Sequence, residues 1–295
     1  MTTFDLRQIF HPSDFSESSE TAFAHALKLA VAAQSKLTIY HTDPDHLGAV
    51  WRSFPQVRSA LEKWNVLPPN SSKEDVVGLG VGIEKVSAPH RDAVSSILKY
   101  LQKHPHDLIV LTTYQHEGID RWMKKAVAEP IARQSGEITL FLPHQSPGFI
   151  SAGTGQVSLK NVLIPIDQRP HPQLAIEIAS SLAHLLGCVG VNFHLLHVGN
   201  EKTAPQVKLP FGDSGAWTPI LGQGNVIDQI LKTAEEISAD LIVMATQGHE
   251  GFLDALRGST TERIVRASSC PVLAVPSSHL LRNNLQEAFI FQPEA

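Results

Sequence analysis

Small and hydroxyl-bearing residues are concentrated in one stretch near the carboxyl end of the chain. After the apolar run 241–245 this stretch contains Gly248, Gly251, Gly258, Ser259 and Thr260. Glycine lets the backbone approach a ligand closely, and the N–H groups at the start of a helix attract anions. The pattern therefore predicts a phosphate-binding loop between a buried strand and a helix. The residues leave a second interpretation open, in which the glycines only form turns and a hydroxyl only caps the helix.

Apolar runs of strand length alternate with helical patterns along the chain. The runs begin near residues 7, 37, 81, 108 and 138, and they begin again near 160, 191, 241 and 272. We expect the helical pattern 44–67 to kink or break at Pro55, and we expect a polar loop over 68–80. Strands alternating with helices of this length favour βαβ units and a parallel sheet with helices on both faces.

The two halves of the sequence repeat one another. Residues 97–118 align without gaps on 230–251, and eleven of these twenty-two positions are identical. The same offset continues to Pro143 and Pro276. This internal duplication predicts two domains, at 1–146 and 157–280, joined by a linker over 144–159 that is rich in Gly, Ser and Pro.

The halves differ at the positions of the predicted phosphate loop. Where the second half has Gly248, Gly258 and Ser259, the first has Gln115, Lys125 and Ala126. Side chains at these positions fill the space that glycine leaves to a ligand. The sequence thus predicts a functional loop in the second half and an occluded one in the first.

These motifs resemble those of the universal stress protein family. The resemblance rests on the Pro-x-Asp of Pro165 and Asp167, the strand DLIVMAT, the glycine loop and the final strand CPVLAV, and the first half shares HPSDFS and DLIV. It covers nearly the whole chain and implies a tandem member. The implied fold class is α/β, with two doubly wound, parallel, five-stranded sheet domains of the adenine-nucleotide alpha-hydrolase-like type. It further implies that the final strands, 138–142 and 272–275, pair within one chain as a pseudo-dimer.

The resemblance also implies a nucleotide site in the second half. Its residues are Pro165, Asp167, Val198, Gly248, Gly251, Gly258, Ser259 and Thr260, and the ligand is ATP or a related adenine nucleotide, with Mg²⁺ as its companion ion. The family loop has nine residues between its second and third glycines, whereas this chain has six between Gly251 and Gly258. If that segment is helical, the three missing residues shorten it by about 4.5 Å, close to one turn.

Composition, apolar run lengths and missing motifs disfavour several other classes of function. The formal net charge of −5 disfavours nucleic acid as a partner, and two cysteines favour a reducing compartment. Since no apolar run is long enough to span a bilayer, we expect a cytoplasmic protein without a membrane partner, leaving a homodimer open. The sequence contains no hydrolase elbow, zinc-protease helix or Walker lysine, so we predict that it is not an enzyme, although slow ATP hydrolysis stays open.

Two rival functions are also compatible with the sequence. The first is a nucleotide-independent interaction module whose contact surface includes Trp51 and Trp64, although aromatic residues at such spacing are more often packing residues. The second is a metal-binding variant, suggested by fifteen histidines, but their spacing does not favour a dedicated site. His41 and His197 end equivalent predicted strands, where either ring is placed to stack near a ligand base.

Overall fold

A computed structural model describes residues 5–42, 53–89, 92–113, 128–144, 146–210, 215–247 and 260–277. The first half contains β1 Gln8–Pro12, α1 Glu17–Ala33, β2 Lys36–Thr42, α2 Val57–Lys63, α3 Lys73–Gly78, β3 Gly82–Ala88, α4 Ala93–Lys103, β4 Leu108–Thr113, α5 Ala128–Ser135 and β5 Ile138–Pro143. The second contains β6 Asn161–Pro165, α6 Gln173–Leu185, β7 Asn192–Val198, β8 Ala216–Gly222, α7 Val226–Glu236, β9 Leu241–Thr246, α8 Thr260–Ala267 and β10 Val272–Pro276.

The described strands form one ten-stranded sheet. Its order is β3-β2-β1-β4-β5-β10-β9-β6-β7-β8, so both halves have the same internal arrangement. Neighbouring strands are parallel except β5 and β10, which pair in antiparallel fashion with Leu140 opposite Leu273. The predicted α/β class with duplicated, doubly wound parallel sheets is confirmed.

The duplication is visible in hydrogen bonds as well as in strand order. The Asp107 carboxylate accepts from the backbone N–H groups of Arg7 and Gln8 at 2.8 and 2.7 Å. Asp240 makes the same two contacts with Lys160 and Asn161, at 2.8 and 2.9 Å. Each aspartate therefore joins the start of its half's central strand to the strand beside it, which gives the repeated aspartate of the sequence a structural role.

Helices cover both faces of the sheet. One hydrophobic cluster packs α1, α2 and α6 against one face, and Ile9 and Val162 point into it. A second cluster packs α4, α5, α7 and α8 against the other face, and Phe10 and Leu163 point into it. Because successive strand residues point to opposite faces, a strand buried on both sides has a continuous apolar run, as the sequence does here.

The segment between the halves is packed rather than exposed. Phe149 and Ile150 are fully buried, although the Gly, Ser and Pro content of 144–159 predicts a linker. Both donate their backbone N–H groups to Nε2 of His25, at 3.1 Å. Trp64 donates its indole N–H to the carbonyl of Ala152 at 3.0 Å, so it is a packing residue and not a surface contact.

The polar stretch 68–80 differs from the expected loop because it contains the short helix α3. Ser72 and Asp75 form a reciprocal capping box, in which each side chain accepts from the other's backbone N–H. Such a box satisfies two N–H groups that a helix start otherwise leaves unpaired. The predicted kink at Pro55 falls just before α2, while 43–52 lie outside the described residues. Within the described ranges, no helix is long and apolar enough to cross a membrane.

Candidate functional site

A cavity of about 250 Å³ lies at the carboxyl ends of β6, β7 and β9. The strand order β9-β6-β7 places β6 between its two parallel neighbours. The chain leaves β6 toward β7 on one side and returns to β9 on the other, so a crevice opens where the order reverses. Open α/β sheets bind their ligands at such switch points.

Four of the eight residues predicted for the site line this cavity: Pro165, Asp167, Val198 and Thr260. They come from the end of β6 and the loop after it, the end of β7 and the start of α8. The fold therefore brings three distant segments of the chain together at this cavity. The other four, Gly248, Gly251, Gly258 and Ser259, lie outside the described residues.

Asp167 is exposed at the cavity and its carboxylate is oriented by its own loop. Oδ1 of Asp167 accepts the backbone N–H of Gln168 at 2.7 Å. Arg169 and Pro170 continue the same wall. A carboxylate and a guanidinium at one rim offer hydrogen-bond acceptors and donors to a polar ligand.

His197 lies at the end of β7 and also lines the cavity. His197 is only 4% exposed, and both nitrogens of its ring have hydrogen-bond partners. Nδ1 lies 3.1 Å from the carbonyl of Ile166, and Nε2 lies 2.8 Å from the Thr203 hydroxyl. Since a carbonyl oxygen can only accept, Nδ1 carries a proton. The expectation that this ring stacks near a ligand base stays a prediction.

The start of α8 contributes Thr260 and Thr261 to the lining. The first N–H groups of a helix have no partner within the helix and carry partial positive charge. Two threonine hydroxyls add further donors at the same end. This side of the cavity is suited to an anionic group.

Several lining residues were not predicted from the sequence as residues of the site. Met244, Ala245, Thr246 and Gln247 come from β9 and its end, and Val226 and Ile230 come from α7. The β9 residues follow from the rule that carboxyl ends of parallel strands form the site. The α7 residues do not, because only tertiary packing brings them to β6. They give the cavity an apolar side opposite its polar rim.

The corresponding position in the first half is enclosed by aromatic rings. Strand register makes His41 the counterpart of His197, since Pro12 pairs with Tyr40 as Pro165 pairs with Leu196. The ring of Phe15 stacks on His41, with centroids 4.0 Å apart and planes 19° apart. Phe54 packs edge-on against Phe15 at 5.1 Å. The predicted occlusion by Lys125 and Ala126 falls outside the described residues.

Curated relatives and solved structures resemble the chain over different lengths. A universal stress protein of Methanocaldococcus jannaschii is 43% identical over 53 residues, which are 18% of this chain and 31% of that protein. One of Synechocystis is 28% identical over 152 residues, 45% of this chain and 95% of that protein. The chain thus spans less than a third of the first relative and nearly all of the second.

A solved universal stress protein from Archaeoglobus fulgidus shares the fold, with a TM-score of 0.59 at 19% identity. The likeness covers 92% of this chain and 97% of that one. The model of the universal stress protein family matches residues 6–136 and 199–276, well over half of the sequence and parts of both halves. The duplicated α/β architecture, the strand order and this match agree, and the chain belongs to the universal stress protein family.

Proposed function

We propose that the second half binds ATP or a related adenine nucleotide in the cavity beside β6, as a regulatory ligand of a stress-response protein. The observation that supports this proposal is that Asp167, Val198 and Thr260, which come from three separate segments of the chain, line one cavity at the switch point of the sheet. As a regulatory ligand the nucleotide would stabilise the folded state in proportion to saturation, because a ligand held only by the folded state adds to its stability.

The lining has a suitable chemical group for each part of a nucleotide. Val198, Val226 and Met244 offer an apolar surface to a planar base. Asp167 offers a carboxylate to sugar hydroxyls or a base amine, and the start of α8 offers N–H and hydroxyl donors to phosphate. The sequence predicts that Gly248, Gly251 and Gly258, which lie outside the described residues, complete the phosphate loop. Mg²⁺ would accompany a bound triphosphate and share its negative charge.

Binding is tested by thermal unfolding of the whole chain with and without ATP and Mg²⁺. We expect ATP at about a hundred times its Kd to add roughly 2.7 kcal/mol to the unfolding free energy. Gly251→Val removes this gain, because a branched side chain blocks the loop, whereas Gly118→Val at the duplicated position of the first half leaves it intact. Mass spectrometry of small molecules released from freshly purified protein identifies a nucleotide already held. An unchanged melting temperature at millimolar ATP, with no nucleotide released, contradicts the proposal.

The structure weakens the rival hypothesis of an interaction surface that includes Trp51 and Trp64. Trp64 is 7% exposed and its indole N–H is bonded inside the fold, so it cannot present an aromatic contact to a partner. Trp51 lies outside the described residues. No observation in the described part of the chain favours the metal-binding variant, where no group of three or more candidate ligands occurs.

A further inference from the structure

The two chain neighbours of Asp167 are both held by one residue of the loop after β7, Thr203. Ile166 precedes Asp167, and its carbonyl contacts Nδ1 of His197, whose Nε2 contacts the Thr203 hydroxyl at 2.8 Å. Gln168 follows Asp167, and its side-chain amide donates to the carbonyls of Thr203 and Ala204, at 3.3 Å each. Thr203 is thus linked to both neighbours of the cavity carboxylate, to the Ile166 carbonyl through His197 and to the Gln168 side chain directly.

The Thr203 hydroxyl is itself fixed within its turn. Its oxygen accepts the backbone N–H of Asn200 at 3.1 Å and lies 2.9 Å from the Asn200 carbonyl. The Thr203 hydroxyl has one proton, which it can donate either to the Asn200 carbonyl or to Nε2 of His197. The turn at 200–203 therefore forms a rigid support, and the histidine transmits its position to Ile166.

Gly199 provides the space that this contact requires. A Cβ built at Gly199 would lie 2.6 Å from Nε2 of His197 and 2.8 Å from the Thr203 hydroxyl oxygen. Both distances are shorter than van der Waals contact, so any other residue would separate the ring from the hydroxyl. Gly199 is outside the left-handed region, and the requirement is therefore steric rather than conformational.

We propose that Thr203, acting through His197 and Gln168, is a positioning residue that holds Asp167 in its ligand-binding orientation. This inference rests on the proposed nucleotide function. Thr203 does not line the cavity, so its effect on affinity is indirect. In the first half Nδ1 of His41 makes the equivalent contact with the Ser13 carbonyl, at 2.7 Å, while its ring stacks on Phe15. Among the described residues, the further contact between Nε2 and a threonine hydroxyl is found in the second half.

The test compares ATP affinity of the full chain, by calorimetry, among matched variants. Thr203→Val removes the hydroxyl and keeps the shape, and we expect a roughly five- to tenfold weaker Kd, the usual effect of losing one hydrogen bond. Gly199→Ala, which breaks the same contact by steric pressure, should weaken binding similarly. Thr203→Ser should restore affinity to within about twofold, as should Thr218→Val, which changes an exposed threonine on β8.

A ligand-free measurement separates this inference from the proposed function. The backbone N–H of Gln168 donates to the Asp167 carboxylate, so the hydrogen-exchange rate of that N–H reports how ordered the loop is. We expect faster exchange in Thr203→Val and in Gly199→Ala, and exchange like the parent chain in Thr203→Ser. If the parent chain takes no ATP, the nucleotide function fails, while faster exchange in those two variants still supports the positioning role. The positioning role is overturned if Gln168 exchanges at the parent rate in both Thr203→Val and Gly199→Ala. It is also overturned if the parent chain binds ATP and both variants bind it with the same affinity.

Discussion

At the scale of single residues, His25 holds the segment between the halves. Nδ1 of His25 lies 2.8 Å from the Thr21 carbonyl, so Nδ1 carries the proton and Nε2 is the acceptor for Phe149 and Ile150. Burial lowers the pKa of His25 to about 4, which keeps the ring neutral and able to accept. One imidazole thereby replaces the hydrogen bonds that a buried turn would otherwise lack.

Gly148 is the residue most constrained by this arrangement. A Cβ there would lie 2.3 Å from Cε1 of His25, and its φ of 64° is left-handed. Gly190 has a similar φ of 70° with open space around it. We expect Gly190→Ala to cost about 1–2 kcal/mol from backbone conformation alone, and Gly148→Ala to cost about 1–3 kcal/mol more from the clash. Urea unfolding measures both, and equal losses would contradict the proposed constraint.

At the scale of elements, β5 and β10 join the two halves. Leu140 and Leu273 face each other across this antiparallel pair and both point into the same hydrophobic cluster. Without the pairing, each strand would be a sheet edge with unsatisfied backbone groups. The outer strands of the described sheet are instead β3 and β8.

A double-mutant cycle on Leu140→Ala and Leu273→Ala tests the pairing in solution. Each single change should destabilise the chain by about 2–5 kcal/mol, because it leaves a cavity in a buried cluster. Directly opposed residues are coupled, so the two losses should differ from additivity by about 0.5–3 kcal/mol. Leu195→Ala on the distant strand β7 serves as the control partner for Leu140→Ala and should add within about 0.5 kcal/mol. Additive losses for the opposed pair would argue against the antiparallel contact.

The sequence predicted best those elements whose burial in the fold is visible in their own residue pattern. The buried strands and the repeated Asp107 and Asp240 were visible because each half displays the same pattern. Helix α3 was missed because six residues with only Val76 buried are too short to show a helical period. The burial of Phe149 was also missed, because Gly, Ser and Pro content describes the local chain and not the residues that pack against it. For the same reason the motifs identified Asp167 but not Ile230, which only the folded chain brings to the cavity.

At the scale of the whole molecule, buried histidines connect stability to pH. Burial lowers the pKa of His11, His25 and His106 from 6.5 to about 4. All three lie in the first half, on β1, on α1 and in the turn before β4. Because the unfolded chain binds protons that the folded chain excludes, the stability that depends on these three histidines is fully present above about pH 6.5 and is lost as the pH drops toward 4. Each histidine contributes about 3 kcal/mol to that loss, a large share of a typical unfolding free energy.

His11 offers the sharpest test, because the duplication provides its replacement. The equivalent residue of the second half is Ile164, equally buried at the same position of β6. Nδ1 of His11 contacts the Val110 carbonyl at 3.1 Å, but Nε2 has no hydrogen-bond partner among the described residues. His11→Ile removes both the titrating group and this unpaired nitrogen. We expect the variant to be at least as stable as the parent chain at pH 7.

Between pH 7 and pH 4.5 the difference should widen in favour of the variant by about 2–3 kcal/mol, the linkage contribution of one histidine with these two pKa values. Urea unfolding at both pH values measures it. His184→Gln, which changes an exposed histidine on α6, should follow the parent chain and so control for the loss of any histidine. If His11→Ile loses as much stability on acidification as the parent chain does, the acid sensitivity arises from other groups. If it loses less by the expected amount, His11 lowers the acid stability of the first half, a cost that Ile164 avoids at the equivalent position of the second half.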